Sequence, residues 1–181
     1  MLYLIEGARN TGKTYIASFF NLPRYKFPFT HWFGCMGYAD SSQNTHDFAL
    51  GKEIMLMDLN KMGYIESMLS DRGIVTVFVW AILSNRISET EALRQFSLTI
   101  HSDLYRDVKI IWVKGKNPDT SDRKKDFWDG YDGRGQQEAL LYNAFMSRLI
   151  EIGVDVEIVE NTFDDKVEQR IKEIKNVWNI N

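Results

Sequence analysis

The sequence has little cysteine and no excess of positive charge. Its single cysteine, Cys35, excludes an internal disulfide and cannot form a zinc site by itself, so we interpret it as a small buried apolar side chain. The formal net charge is -3, with 22 Lys and Arg against 25 Asp and Glu. Proteins that bind nucleic acid polymers usually neutralise many phosphates, so this balance disfavours such a protein and leaves room for a small anionic ligand.

Long apolar runs and repeats are also missing. The first residues, MLYLIEG, have neither the basic region nor the apolar length of a secretory signal. No window approaches the roughly 20 apolar residues of a membrane span. We therefore predict a cytoplasmic protein with no membrane segment, and the 181 residues fit a single domain, 1–181.

Strand-like and helix-like segments alternate along the chain. This alternation predicts an α/β fold with three layers, in which a central parallel sheet of about five strands is covered by helices on both faces. The segment 74–84, IVTVFVWAILS, is apolar nearly all round and predicts a buried helix, with a strand as the alternative. Strands are predicted at 2–6, 25–29, 64–70, 108–113 and 154–159, and helices from Lys13 onward and at 46–63, 74–84, 88–101, 136–152 and 164–180.

The segment 114–135, KGKNPDTSDRKKDFWDGYDGRG, differs in composition from the rest of the chain. It is rich in charge, glycine and aromatic residues, and it has too little apolar periodicity to build core. We predict that it forms a mobile lid.

The octapeptide GARNTGKT, from Gly7 to Thr14, has the spacing of a phosphate-binding loop and lies between a predicted strand and a predicted helix. Gly7 and Gly12 allow the backbone N–H groups to surround a phosphate. Lys13 then supplies positive charge to the β and γ phosphates, and the Thr14 hydroxyl can bind Mg²⁺. The predicted nucleotide-binding residues of the loop are Gly7, Ala8, Asn10, Thr11, Gly12, Lys13 and Thr14.

A second pair of charged residues, Asp71 and Arg72, follows a predicted strand in the sequence SMLSDRG. In an open parallel sheet, ligands bind beyond the carboxyl ends of the strands, so this pair should face the same crevice as the phosphate loop. The acid can organise Mg²⁺ or an attacking hydroxyl, and the arginine can hold an anion through two hydrogen bonds. The alternative is an ordinary surface ion pair.

These motifs, together with VKIIWVKG, SDRKKDFWDGYD and EIGVDVEIVENTF, give a chain that resembles the thymidylate kinase family over most of its length. The resemblance implies an ATP- and Mg²⁺-dependent transfer of phosphate to a deoxynucleoside monophosphate. It further implies that Arg72 contacts the acceptor phosphate, that Asp71 organises metal or acceptor, and that a homodimer forms.

The resemblance also assigns residues outside the two motifs. Phe48 and Lys52, four apart on one helix, match an aromatic that stacks on the acceptor base and a cation near its phosphate. Trp80 is a further candidate for the substrate site, Arg123 matches the catalytic arginine of the lid, and Asn161 falls where the family contacts adenine.

The phosphate loop departs from the family pattern at its third position, where Arg9 replaces an acid that holds the sugar 3′-hydroxyl. Arginine cannot accept that hydrogen bond, so Arg9 is assigned to the transferring phosphoryl group or to a phosphate on the acceptor's 3′ side. Gly73 and Ala81 also differ from the family pattern, which leaves the base preference open.

Two other functions stay open. One is a kinase that phosphorylates a hydroxyl of a modified pyrimidine such as 5-hydroxymethyluracil in DNA, as in some bacteriophage enzymes resembling this family, with the base held between aromatic residues. The other is an ATP-hydrolysing switch or adaptor, although the acid usual after a long apolar strand is replaced by Lys114.

Overall fold

The structure is a computed structural model and describes residues 1–8, 11–26, 43–101, 103–115, 135–162 and 164–180. Strands and helices alternate in this part of the chain, as the sequence predicts. The strands are β1 (Leu2–Glu6), β2 (Arg24–Lys26), β3 (Met68–Asp71), β4 (Val108–Gly115) and β5 (Asp155–Asn161). The helices are α1 (Lys13–Ser18), α2 (Gln43–Lys61), α3 (Ile74–Leu83), α4 (Glu89–Thr99), α5 (Gly135–Glu151) and α6 (Asp165–Trp178).

The described strands form one sheet in the order β2-β3-β1-β4-β5, and every pairing is parallel. The predicted five-stranded parallel sheet is confirmed. β1 lies at its centre, with Ile5 beside Asp71 of β3 on one side and beside Ile111 of β4 on the other. The carboxyl ends of β1 and β3 therefore meet at one edge of the sheet, where the phosphate loop and the Asp71-Arg72 pair follow them.

Two apolar cores cover the two faces of the sheet, because side chains alternate along each strand. Leu2 and Leu4 of β1 belong to the core under α2, α3, α4 and α5, whereas Tyr3 and Ile5 belong to the core under α1 and α6. Glu6 follows Leu4 by two residues, so its side chain points into the first core. A carboxyl group is thereby directed into an apolar layer.

The segment 74–84 is a buried helix rather than a strand, which confirms the preferred interpretation. Every residue of α3 is buried, and the helix packs against α2, α4 and α5. Its uniform apolarity reflects contact on all sides, so no polar face was needed. Two helices begin at side-chain caps: Ser88 Oγ accepts from Glu91 N at 3.2 Å, and the Asp164 side chain accepts from Lys166 N.

Some boundaries differ from the prediction. β3 begins at Met68, so residues 64–67 are not strand. A turn at Gly63, with φ of +81°, precedes this segment. The amino group of Met1 donates to Ile65 O and Glu66 O, and these contacts hold the segment outside the sheet. At the two ends of the predicted lid, 114–135, Lys114 and Gly115 belong to β4 and Gly135 begins α5; the rest of that segment lies outside the described residues. Residues 27–29 of the predicted second strand lie outside the described residues. Within the described ranges, no helix is long and apolar enough to cross a membrane.

Candidate active site

The phosphate loop is fixed by close packing of its glycines. Gly7 has φ of +148°, and a Cβ there would collide with the carbonyl oxygen of Val113 in β4. Gly12, with φ of +85°, precedes the first residue of α1. Both positions therefore need glycine for steric reasons, as the motif requires.

Lys13 is folded back into its own loop. Its Nζ donates to Gly7 O at 2.7 Å and to Ala8 O at 2.6 Å, and the residue is 6% exposed. Burial lowers the pKa of Lys13 to about 7, and the positive charge of Arg72 acts in the same direction. A bound phosphate would restore a high pKa, so this ammonium group is suited to an anionic ligand.

Further contacts tie the loop to the sheet. Thr11 Oγ1 donates to Ala8 O at 2.9 Å, and Asn161 Nδ2 donates to Thr11 O at 2.7 Å from the last residue of β5. The side chain of Asn161 is thus a loop anchor in this structure, and its predicted contact with adenine stays a prediction. Thr14 is exposed in the first turn of α1, as a metal-binding hydroxyl must be.

Asp71 and Arg72 follow the neighbouring strand. Arg72 has φ of +91°, which is a strained backbone conformation for a residue with a side chain. Two hydrogen bonds hold it there, from Arg72 N to Ile5 O at 3.0 Å and from Ser70 Oγ to Arg72 O at 2.7 Å. Strain of this kind concentrates at functional sites, which favours a binding role over a surface ion pair.

The guanidinium group of Arg72 lies over a tryptophan. Its Cζ is 5.6 Å from the ring centroid of Trp80 on α3, and its buried Nη1 has no hydrogen-bond partner among the described residues. The Arg72 charge also acts on Lys13. The structure therefore brings together Lys13, Asp71, Arg72 and Trp80, which the sequence analysis had named separately.

Three buried acids that interact with these cations or with one another were not predicted from the sequence. Glu6 is fully buried; its Oε2 accepts from Thr76 Oγ1 at 2.5 Å, and Thr76 Oγ1 lies 2.7 Å from Tyr142 OH. Burial raises the pKa of Glu6 to about 7. A side chain at Gly73 would lie 3.1 Å from Glu6 Oε1, so the glycine leaves room for this carboxyl group.

The other two acids come from helices. Glu53 on α2 is 1% exposed, and burial raises its pKa to about 8, with the charge of Glu6 acting in the same direction. Glu138, in the first turn of α5, is fully buried and its charge favours the protonated form of Lys13. The sequence carried a signal for two of them: Glu6 ends an otherwise apolar strand, and Glu53 falls on the apolar face of α2 with Ala49 and Met57.

Phe48 and Lys52 lie together on another face of α2. Phe48 is 42% exposed, and Lys52 Nζ is 6.0 Å from the centroid of its ring. The predicted i, i+4 neighbourhood is therefore present, on a face different from the one that carries Glu53. Arg9, Asn10 and Arg123 lie outside the described residues, so their roles stay predictions.

The donor set fits Mg²⁺ in the way that nucleotide-binding sites use it. Within the described ranges, no group of three or more His, Cys, Asp or Glu could hold a metal ion by itself. Mg²⁺ bound with a nucleotide needs only one or two protein oxygens, because phosphates and water complete its octahedron. The exposed Thr14 hydroxyl and the half-buried Asp71 carboxylate supply oxygen donors of the required type.

Comparison with known proteins shows the fold. No protein-family model matches the sequence, and no curated protein does so either. Among solved structures, thymidylate kinase from Candida albicans has a TM-score of 0.65 at 18% identity, with 98% of this chain and 92% of that chain covered. Deoxyadenosine kinase from M. mycoides, with the products dCMP and dCDP bound, has a TM-score of 0.62 at 16% identity, with 99% of both chains covered.

A third similar structure is the YorR protein of Bacillus subtilis in complex with phosphorylated GDP, with a TM-score of 0.59 at 16% identity and 99% and 96% of the two chains covered. The chain therefore has the fold of the P-loop nucleoside and nucleotide kinases. The match extends over nearly the whole chain, as the thymidylate kinase-like motifs predict.

Proposed function

We propose that this protein is an ATP-dependent kinase that transfers the γ-phosphate to a deoxynucleoside monophosphate. The observation that carries the proposal is the pairing of two cations at one edge of the sheet: the buried ammonium of Lys13 in a phosphate-binding loop and the strained Arg72 beside it. A donor phosphate and an acceptor phosphate each need one such cation. The kinase fold of the chain supports the same assignment.

On the donor side, the backbone of residues 7–14 surrounds the β and γ phosphates of ATP. Lys13 leaves the carbonyls of Gly7 and Ala8 and binds the phosphates instead, since an anion is a stronger partner than two neutral oxygens. Thr14 and Asp71 hold Mg²⁺, which neutralises charge on the phosphates when bound. Asn10 belongs to the same loop, and Asn161 faces the adenine side.

On the acceptor side, Arg72 holds the monophosphate through its guanidinium fork. Trp80 keeps the guanidinium plane in position, and Phe48 with Lys52 contacts the base end of the acceptor. A phosphate oxygen of the acceptor attacks the γ-phosphorus, the bond from that phosphorus to the β,γ-bridging oxygen breaks, and ADP leaves. Arg9 and Arg123 stabilise the negative charge of the transferring group.

The test is transfer of labelled γ-phosphate from ATP with Mg²⁺ to a panel of deoxynucleoside monophosphates, with plain DNA and hydroxymethyluracil-containing DNA alongside. Label on a free monophosphate is the expected result. Label on DNA alone would replace this proposal by the DNA-base kinase, for which Arg9 in place of an acid is the specific reason. Free phosphate without a labelled acceptor would indicate the hydrolysing switch.

Two properties of the protein stay predictions beside this activity. One is the cytoplasmic location, and the other is the homodimer implied by the resemblance. Sedimentation of the purified full chain measures the second directly, with a monomer at all concentrations as the contradicting result.

A further inference from the structure

One face of α2 is buried yet carries three polar residues. His46, Ala49, Glu53, Met57 and Asn60 recur at helical spacing along this face and are each at most 4% exposed. Two of the polar residues have partners: His46 Nε2 lies 3.1 Å from Gln95 Oε1, and Asn60 Nδ2 donates to Asp107 O at 3.1 Å. Glu53 differs, because neither of its carboxyl oxygens has a hydrogen-bond partner among the described residues.

Glu53 is near the strands on the β2 side of the sheet. Ala49, one turn before it on the same face of α2, packs with Val77 of α3 and Tyr25 of β2. The charge of Glu53 acts on Tyr25, and Glu53 interacts with Glu6 at the end of β1. β3 runs between these two strands, and Tyr25 is beside Ser70, the residue before Asp71. We therefore place the Glu53 side chain between α2, α3 and this side of the sheet.

An unpaired carboxyl group in this position needs a ligand to explain it. A buried polar group without a partner costs free energy, so each such group in a folded protein calls for a physical explanation, for example a functional role or a bound species. A metal ion is a poor candidate, because no cluster of three possible ligands occurs in the part of the chain that the structure describes. The surroundings are aromatic and aliphatic, with Tyr25, Ala49 and Val77 forming one contact group.

We propose that Glu53 is a specificity-determining residue that hydrogen-bonds the edge of the acceptor's nucleobase; this inference rests on the proposed kinase function. A nucleobase has apolar faces and a polar edge, which suits a single buried carboxyl group with aromatic and aliphatic neighbours. The sugar and phosphate are better matched by the charged residues at the strand ends, Asp71 and Arg72. Glu53 therefore reads the base, whereas Arg72 holds the phosphate.

The protonation state of Glu53 gives this contact a pH dependence. Below a pKa of about 8 the carboxyl is neutral and offers one donor and one acceptor; above it, the carboxylate offers two acceptors. Glu6 favours the neutral form of Glu53, and Lys52 favours the ionised form. The hydroxyl groups of Tyr25 and Tyr105 also face it, since the charge of Glu53 raises their pKa values. Base affinity should therefore change between about pH 7 and pH 9.

The experiment compares wild type with Glu53→Gln and Glu53→Met, using KM for ATP and for each deoxynucleoside monophosphate from pH 6 to pH 9.5. Asp58→Asn, an acid on another face of the same helix, is the matched control. Glutamine keeps one donor and one acceptor at every pH, and methionine keeps neither. Acceptors with a 2′,3′-dideoxy sugar separate a contact to the base from one to the sugar hydroxyl.

The expected result is a rise of about tenfold or more in acceptor KM for Glu53→Met, with ATP KM unchanged and the same rise for dideoxy acceptors. The ranking of bases should change, and the part of the pH dependence of acceptor KM that lies near pH 8 should be lost in Glu53→Gln, while changes near pH 7 from Lys13 and Glu6 remain. An unchanged ranking and pH profile in both variants would overturn the inference, as would an effect that disappears with dideoxy acceptors. A wild-type protein that phosphorylates no nucleotide would instead overturn the proposed function itself, and with it this role of Glu53.

Discussion

The donor loop and the acceptor side of the crevice differ in how far the protein satisfies its own polar groups. In the loop, Lys13 has two carbonyl partners and Thr11 is bonded on both its hydroxyl and its carbonyl. On the acceptor side, Glu53 has no partner among the described residues, and Arg72 is held at positive φ with its buried Nη1 unpaired within those residues. The described residues of the loop therefore have partners within the protein, whereas buried groups on the proposed acceptor side have none among the described residues.

This difference has an energetic consequence. A site whose polar groups are hydrogen-bonded to one another stays ordered without a ligand. When a ligand binds, those hydrogen bonds must be exchanged for hydrogen bonds to the ligand. A site with unpaired buried groups is destabilised without a ligand and gains the missing hydrogen bonds on binding. Substitutions in the loop should therefore reduce activity, while some substitutions on the acceptor side should reduce activity and raise stability.

The largest effect is expected for Lys13→Met. Loss of the ammonium removes charge stabilisation from the transferring phosphoryl group, so kcat should fall by about 10²–10³-fold or more. Methionine keeps the apolar stem, so the melting temperature should change little. Lys61→Met, which removes a half-exposed lysine paired with Asp103, is the control and should keep full activity. A Lys13→Met enzyme with unchanged kcat would contradict the role of this loop.

The next effect is expected for Arg72→Lys. Lysine keeps the charge but loses the planar fork and the stacking on Trp80, so the KM of the acceptor should rise by about 10–100-fold while the KM of ATP stays constant. Arg106→Lys, an exposed arginine paired with Asp103, serves as the control. Equal changes in both KM values would show that Arg72 does not distinguish acceptor from donor.

A smaller effect with a definite sign is expected for Glu53→Gln in stability. The folded protein holds the Glu53 proton up to about pH 8, whereas the unfolded chain releases it near pH 4.5. Between these pH values the folded state binds more protons than the unfolded state. The contribution of Glu53 to the free energy of unfolding of the wild type therefore falls as pH rises, and this contribution is fully lost above pH 8. The variant lacks this loss and should be the more stable protein at pH 8 by about 1 kcal/mol or more, with a smaller difference at pH 5. Urea unfolding at the two pH values measures it, and a difference that shrinks with rising pH would contradict the burial of an unpaired acid.

The smallest effect is expected for Tyr142→Phe. The Tyr142 hydroxyl is bonded to Thr76 in the chain that also holds Glu6, so its loss should cost about 1 kcal/mol of unfolding free energy. Tyr105→Phe is the matched control, because the buried hydroxyl of Tyr105 has no hydrogen-bond partner among the described residues. That control should cost nothing or add stability. Equal losses in the two variants would mean that the contact with Thr76 contributes little.

The same contrast explains what the sequence could predict. The loop is formed by eight consecutive residues that include its two glycines, Lys13 and Thr14. Each of these residue types is required at its position for a steric or electrostatic reason, so their spacing alone predicts the site. The charged groups around this crevice, Glu6, Glu53, Arg72 and Glu138, come from four separate elements of the fold. The sequence led to a role only for Arg72, because only Arg72 belongs to a short motif at a strand end.

The sheet was predictable for a similar reason. The run VKIIWV is almost continuously apolar. Such a run is typical of a strand that is buried on both faces of a parallel sheet, so its position inside the sheet was predictable. The start of β3 was not predictable, because residues 64–67 have strand-like composition but are held by the amino group of Met1, a contact over more than sixty residues. Glu53 shows the same limit in the site, since the role of an acid on a buried helix face depends on its neighbours, and Glu6, whose charge acts on it, belongs to a different element.

The most direct measurement is calorimetric titration of wild type, Lys13→Met and Arg72→Lys with a non-hydrolysable ATP analogue and with the preferred monophosphate. The account predicts that Lys13→Met loses affinity for the ATP analogue and keeps the monophosphate, while Arg72→Lys does the reverse. Loss of both ligands in both variants, with the fold intact, would contradict the division of this crevice into a donor side and an acceptor side.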